Sequence, residues 1–187
     1  MMTFSATASA PFPCTLRPAT AADATAIATL VNSAYRGDSS RQGWTTEADL
    51  LAGPRILAPE VLDLVAAADS LILLCVRDSE LIACVQLKKD RSSAYLGMFV
   101  VRPGLQGQGL GKYFMHAAEQ HARQLWQAET VWMTVISIRP ELIAYYQRRG
   151  YVRTGRTLPF PHNAKESMLV EHLEFDVLEK SLTPEHP

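Results

Sequence analysis

The sequence predicts a single α/β domain: a mixed, mostly antiparallel central sheet of about seven strands flanked by helices. Three observations carry that prediction. Short β-branched and apolar runs alternate with segments whose apolar residues recur at helical spacing. Three of the runs, residues 71–77, 81–88 and 94–101, follow one another across tight polar turns, so they pair as antiparallel neighbours. The last of them passes through a glycine-rich turn directly into an amphipathic segment, a strand-to-helix connection. The 187 residues suit one ordinary domain with a substantial core. With 48% hydrophobic and 20% charged residues the chain is globular rather than disordered, and a net charge of −1 excludes the basic field of a nucleic-acid binder.

Taken in order, residues 1–13 are small, polar and broken by Pro11 and Pro13, and read as a flexible tail with no basic stretch of the secretory kind. The domain proper spans 14–178, and 179–187 is a second tail. Residues 15–17 form a short strand stopped by Pro18. Thr20 or Asp23 caps a helix to Tyr35 that buries Ile27, Leu30, Val31 and Ala34. Residues 36–43 are loop, and a helix from Trp44 with Thr45 or Thr46 as its cap carries Glu47 and Asp49 in its first turn. Residues 59–68 form another helix, proline being tolerated at its start. The strands 71–77 and 81–88 turn at Asp78-Ser79, and 94–101 follows. Leu110, Phe114, Ala118 and Leu125 mark the buried side of a helix over 110–126. Residues 130–136 are nearly all apolar and read as an interior strand. A helix over 141–149 stops at Gly150; strands at 151–156 and 167–177 flank a rigid loop at 158–162, with Leu169, Leu173, Phe175 and Val177 on the core side of the last strand.

Chemistry concentrates in the turn Gln106-Gly107-Gln108-Gly109-Leu110-Gly111-Lys112. The first N–H groups of a helix have no partner inside it, and the aligned peptide dipoles place partial positive charge there. Glycines at 107, 109 and 111 let an anion approach that backbone, so the turn reads as a pyrophosphate cradle. The nucleotide-triphosphatase loop G-x-x-x-x-G-K-S/T fails at Gln106 and Tyr113, and the dinucleotide fingerprint G-x-G-x-x-G fails at Lys112. The pattern Q/R-x-x-G-x-G/A is met by Gln106, Gly109 and Gly111.

That pattern, preceded by Phe99, Val101 and Pro103, resembles the signature of the GNAT superfamily of acyl-CoA N-acetyltransferases, and the order of elements is similar to that family's from about Thr15 to Val177. The resemblance implies a sheet splayed between its fourth and fifth strands, where the coenzyme arm enters. It implies that backbone groups of Phe99, Val100 and Val101 meet the acetyl group and pantetheine, and that Gln106 to Lys112 hold the phosphates. The segment 139–151 is similar to the family's C-terminal motif, with Tyr146 on its tyrosine, Gly150 on its helix stop and Tyr151 on the following aromatic. Arg139 stands where many members carry an asparagine that contacts the coenzyme, and either reaches a phosphate or faces solvent.

By the same resemblance Tyr146 faces the coenzyme sulfur as its acid. A phenol of pKa about 10 stays protonated at neutral pH and can supply a proton to a departing thiolate of pKa about 8.5. Tyr146 as core is the alternative, although Tyr145 is the better core residue of the two. For the general base, Glu47, His162 and an ordered water compete. Neither Cys nor His spacing suggests a metal site, and Cys75 and Cys84 read as buried inert thiols in a cytoplasmic protein.

The leading expectation is therefore an acetyl-CoA-dependent N-acetyltransferase transferring acetyl directly to a primary amine. Its acceptor is a small molecule or a peptide; no nucleic acid or membrane is involved, and a homodimer is compatible with this reading. A non-catalytic acyl-CoA-binding or sensing domain is the first alternative, and a partner-binding protein with a degenerate site the second.

Overall fold

The strands β1 (Thr15–Pro18), β2 (Ser70–Arg77), β3 (Glu80–Asp90), β4 (Ser93–Val101), β5 (Thr130–Ile136), β6 (Val152–Pro159) and β7 (Glu174–Ser181) form a seven-stranded sheet in the order β1-β2-β3-β4-β5-β7-β6. These elements come from a computed structural model that describes residues 12–161 and 167–183; His162 and the first eleven residues lie outside it. Asp78 and Ser79 both adopt left-handed backbone (φ 51° and 66°), the two-residue turn whose twist matches an antiparallel pair such as β2 and β3. The neighbouring pairs are antiparallel except β4 and β5.

Two departures from regular pairing prepare the centre of the molecule. The parallel ladder between β4 and β5 consists only of Ser93 with Thr130, Ala94 with Val131 and Tyr95 with Trp132. Beyond it the strands separate, which is the splay expected between the fourth and fifth strands. On the other edge of β4 the register with β3 slips between Cys84 and Gln86, and Met98 takes φ 48°. An extra residue is thereby accommodated in β4, a bulge that bends the strand where the gap opens.

Helices cover both faces. The helix α1 (Ala24–Tyr35), the short α2 (Gly37–Ser40) and α3 (Ala58–Ala66) lie before the main run of strands. The backbone N–H and hydroxyl of Thr20 both reach the Asp23 carboxylate (2.8 and 2.9 Å), which also grips Arg17, so the chain is fixed just ahead of α1. Ile27 and Val31 of α1 and Val61 of α3 pack with Ile72, Leu74, Cys84 and Val100. On the opposite face α4 (Leu110–Trp126) and α5 (Pro140–Gln147) pack Phe114, Met115, Ala118 and Ile143 against Leu73, Val85, Leu96 and Met133. The alternation of Ile72 and Leu74 with Leu73 and Cys75 between the faces is the period-2 pattern of a strand covered on both sides. Cys75 and Cys84 are buried, and burial pushes the Cys84 thiol up to about 12, which leaves it inert at physiological pH.

Several expected details are corrected. Residues 44–51 form no helix: turn hydrogen bonds from Leu50 and Leu51 to the Glu47 carbonyl make a single turn, followed by a bridge from Leu51 to Met168. The last strand is Glu174–Ser181 rather than 167–177, so the sheet continues into the expected tail. Leu125 and Leu169, placed on core faces by periodicity, are 43% and 57% exposed. Leu125 belongs to the last turn of α4, where its neighbours Ala122 and Trp126 take the core-facing positions instead.

Behind α5 a buried polar network braces the site. The Tyr151 hydroxyl donates to Glu119 Oε1 at 3.0 Å, and Lys180 Nζ donates to Glu119 Oε2 at 2.6 Å. Tyr151 in turn meets Tyr146 edge to face, ring centres 5.9 Å apart. Lys180→Met removes the cation that pairs with the buried Glu119 carboxylate and leaves it the Tyr151 hydroxyl. A loss of about 3 kcal/mol in unfolding free energy is expected in urea titration, the scale for breaking one side of a buried pair.

Candidate active site

The turn between β4 and α4 is built from backbone that only glycine adopts readily. Gly107 and Gly109 have φ 78° and 88°, and Gly109 is the residue that caps α4. At Gly111 the requirement is space, because a Cβ would fall 2.7 Å from the Tyr145 hydroxyl oxygen. The Tyr113 N–H bonds to the Gly109 carbonyl (3.1 Å), leaving the N–H groups just before it without partners in the helix. They stand at one wall of a cleft of about 620 Å³, to which Gly107, Gly109, Gly111 and Lys112 contribute from the turn. Arg148 and Arg149, just past the end of α5, line the same cleft, so unpartnered amides and cations both border it. Further in, Phe99, Val101 and Leu142 make the lining apolar. An elongated ligand with an anionic end and an apolar arm suits that sequence of surfaces.

A smaller chamber of about 70 Å³ lies across the gap between β4 and β5, lined among others by Glu47, Arg55, Tyr95, Thr134 and Phe175. Tyr35, Phe99, Leu142 and Tyr146 line both cavities, so these side chains form the boundary between them. Tyr146 is 9% exposed, and its hydroxyl has no hydrogen-bond partner among the described residues. Burial, reinforced by Tyr145 and Tyr95 nearby, raises its pKa above that of a free phenol. The Tyr35 hydroxyl donates to the Phe99 carbonyl at 2.8 Å, and burial raises its pKa strongly as well.

The expected site residues divide. Gly107, Gly109, Gly111 and Lys112 stand in the cleft with Phe99, Val101 and Tyr146. Gln108 is exposed on the turn outside the cleft lining, while Leu110 and Val100 bury their side chains in the two cores. Gln106 lines the cleft but spends its amide on protein: Nε2 donates to the Val101 carbonyl (3.0 Å) and Thr45 Oγ1 (3.2 Å), and Oε1 accepts from Trp44 N–H (3.1 Å). Arg139 is neither in the cleft nor facing solvent. It is buried, its Nη1 and Nη2 donating to the carbonyls of Thr46 (2.7 Å) and Trp44 (3.0 Å) and its Nε to Glu141. Glu47 lines the chamber as an ion-paired partner of Arg36, in a turn instead of a helix. His162 lies outside the described residues.

Sequence reasoning missed Tyr35, Arg55, Arg148 and Arg149, and misjudged Tyr145 as the core residue of its pair. Tyr145 is half-buried in the cleft, between the Trp44 ring (centres 4.8 Å apart) and the Arg149 guanidinium 3.3 Å from its own centre. Of these missed residues, only the adjacent cations Arg148 and Arg149 carried a local signal, which would have added to the anion site read from the glycine turn. Among the described residues no cluster of His, Cys, Asp or Glu could hold a metal ion.

The raised Tyr146 pKa has a stability consequence. Above pH ~10 the unfolded chain loses a phenolic proton that the folded chain keeps, so stability falls as pH rises through that region. Tyr146→Phe removes one such group; urea titrations between about pH 9 and 11 should show a shallower decline by up to ~1.4 kcal/mol per pH unit.

The profile of the acetyltransferase (GNAT) family matches residues 27–151, from α1 through the cradle to Tyr151 beyond α5. Among solved structures, the ribosomal-protein-S18-alanine N-acetyltransferase of Escherichia coli aligns at a TM-score of 0.66 and 14% identity, covering 93% of this chain and 98% of its own. Spermidine N-acetyltransferase of Vibrio cholerae, solved with CoA and spermine, gives 0.66 and 16%, with coverages of 90% and 95%. At such identities the likeness is one of fold. No curated protein matches the chain.

Proposed function

Since the chain belongs to the acetyltransferase (GNAT) family, whose acyl donor is acyl-CoA, we propose that it is an acetyl-CoA-dependent N-acetyltransferase acting on a primary amine by direct transfer. The observation that carries this reading is the meeting of cleft and chamber at Tyr146, in the gap between β4 and β5. A donor arm from one side and an amine from the other reach the same hydroxyl.

In this reading the backbone amides from Gly107 to Lys112 hold the diphosphate, and Lys112, Arg148 and Arg149 supply positive charge around it. The edge of β4 at Phe99 to Val101, where β5 does not pair and the Phe99 and Val101 carbonyls already accept from Tyr35 and Gln106, offers its remaining backbone capacity to the amides of the coenzyme arm. Gln106 and Arg139 are positioning residues that hold the Trp44–Thr46 segment over the cleft without touching the coenzyme.

Acetyl-CoA, when bound, supplies an acyl thioester whose sulfur departs as a thiolate. Glu47, oriented by Arg36, receives the ammonium proton of the acceptor in the chamber, directly or through water. The freed amine nitrogen bonds to the thioester carbon as the carbon–sulfur bond breaks, and loses its second proton to water. Tyr146 gives its proton to the departing sulfur and regains one from solvent, so one proton is released per turnover. Its raised pKa keeps it in the donating form across the physiological range. Holding the reactants in one geometry is the larger share of catalysis in such a site. No described helix is long and apolar enough to cross a membrane, and a cytoplasmic location is part of the proposal.

Acetyl-CoA should raise the melting temperature, as a ligand of the folded state must, and a panel of amines should release free thiol. Tyr146→Phe is expected to lower kcat by about 10- to 100-fold with the thermal shift intact. Gly109→Glu is expected to abolish the shift, by placing a bulky anion and a strained backbone at the cradle. Binding without thiol release would instead mark a sensing domain, and an unchanged shift in Gly109→Glu would move the coenzyme site elsewhere.

A further inference from the structure

We propose that the acceptor is a small amine that also carries a carboxylate, an α-amino acid in chemical class, and that Arg55 selects it. This rests on the transferase reading above and adds the identity of its second substrate.

Size is the first argument. At the ~10–15 Å³ that one water needs, a chamber of about 70 Å³ accepts about five to seven water-sized groups. That is room for an amine and a short carbon frame, and a longer acceptor has to leave most of its length outside the chamber.

Charge is the second. Among the described residues the chamber lining contains a single carboxylate, Glu47, and a single cation, Arg55. Glu47 is already matched by Arg36, whereas the Arg55 side chain pairs with no carboxylate among the described residues. The chamber with its Arg36 neighbour therefore holds an excess of positive charge. A polycation would bring several ammonium groups against that excess. A zwitterion meets it with one charge of each sign: its ammonium at Glu47, its carboxylate at Arg55, whose planar fork suits two carboxylate oxygens.

The backbone at Arg55 is held in place while its side chain is exposed: the Arg55 backbone N–H donates to Asn32 Oδ1 at 2.6 Å, and the Asn32 amide nitrogen donates to the Ile56 carbonyl at 2.9 Å, tying this segment to α1. Its guanidinium lies 5.8 Å from the Tyr35 ring centre, beside a boundary residue of the two cavities. Met98, Met133, Ile136 and Phe175 supply apolar wall for a short side chain.

The test uses the full chain with acetyl-CoA, scoring thiol release with α-amino acids, with their carboxamides, which keep the amine and lose the anion, and with spermidine. Higher kcat/KM for the acids than for the carboxamides and spermidine is expected. In Arg55→Ala the acid-to-carboxamide ratio should fall about tenfold, through KM rather than kcat, the scale of a charge-assisted pair at a partly exposed residue. Arg55→Lys, which keeps the charge without the fork, should restore part of the ratio. Preference for carboxamides or spermidine, or an Arg55→Ala variant with an unchanged ratio, overturns this proposal and leaves the transferase reading intact. Release from no amine overturns both, and the thermal shift with acetyl-CoA then reports whether the coenzyme site survives.

Discussion

Everything in this molecule turns on a sheet that stops pairing in its own middle. β4 and β5 share a ladder only from Ser93 to Tyr95, and past that point the backbone of each faces open space. Unpaired polar backbone inside a protein is costly unless something else takes up its hydrogen bonds. The structure meets part of that demand internally, with the Tyr35 hydroxyl on the Phe99 carbonyl. The remainder is what a ligand with amides of its own can use. The bulge at Met98 and the gap are two parts of one deformation, because bending β4 away from β5 needs the extra residue that the slipped register provides.

Around this gap rigid parts carry the contacts and a non-helical segment closes them in. α4 brings its positive end to the cleft because Gly109 turns the chain at its cap, and α5 brings Tyr145, Tyr146 and, just past its end, two arginines to the same cleft. The segment from Trp44 to Thr46 lies across both, held by Gln106 from one side and Arg139 from the other. Two polar side chains that a motif comparison assigns to the coenzyme are thus consumed in holding the roof. Tyr146, by contrast, is supported from behind by the Tyr151–Glu119–Lys180 network and keeps its own hydroxyl uncommitted. A buried, braced ring whose hydroxyl has no hydrogen-bond partner among the described residues is placed for work on a bound group.

The sequence-based errors share a cause. Residues 44–51 looked like a helix because Thr45 or Thr46 followed by acids is a local start signal. What wins instead is long-range: the Trp44 and Thr46 carbonyls accept from Arg139, far along the chain, and Glu47 turns to Arg36. Tyr145 and Tyr146 are adjacent and chemically identical, so only their packing separates the ring that meets Trp44 at a tilt and lies under Arg149 from the ring that borders the chamber. Arg55 gave no local signal, since its place depends on Asn32 holding it against α1.

The glycine turn, the long helix after it, the hairpin at Asp78-Ser79 and the stop at Gly150 were legible in the amino-acid order alone. Each follows from backbone preferences and periodicities that act within a few residues, and the glycine turn with the tyrosine motif sufficed to suggest the family. The tertiary structure alone decided that Arg139 and Gln106 are braces, that Glu47 pairs with Arg36, and that cleft and chamber meet at Tyr146. The reason is that those facts are set by contacts between segments distant in the chain, such as Tyr35 with Phe99, 64 residues apart, for which no local pattern codes.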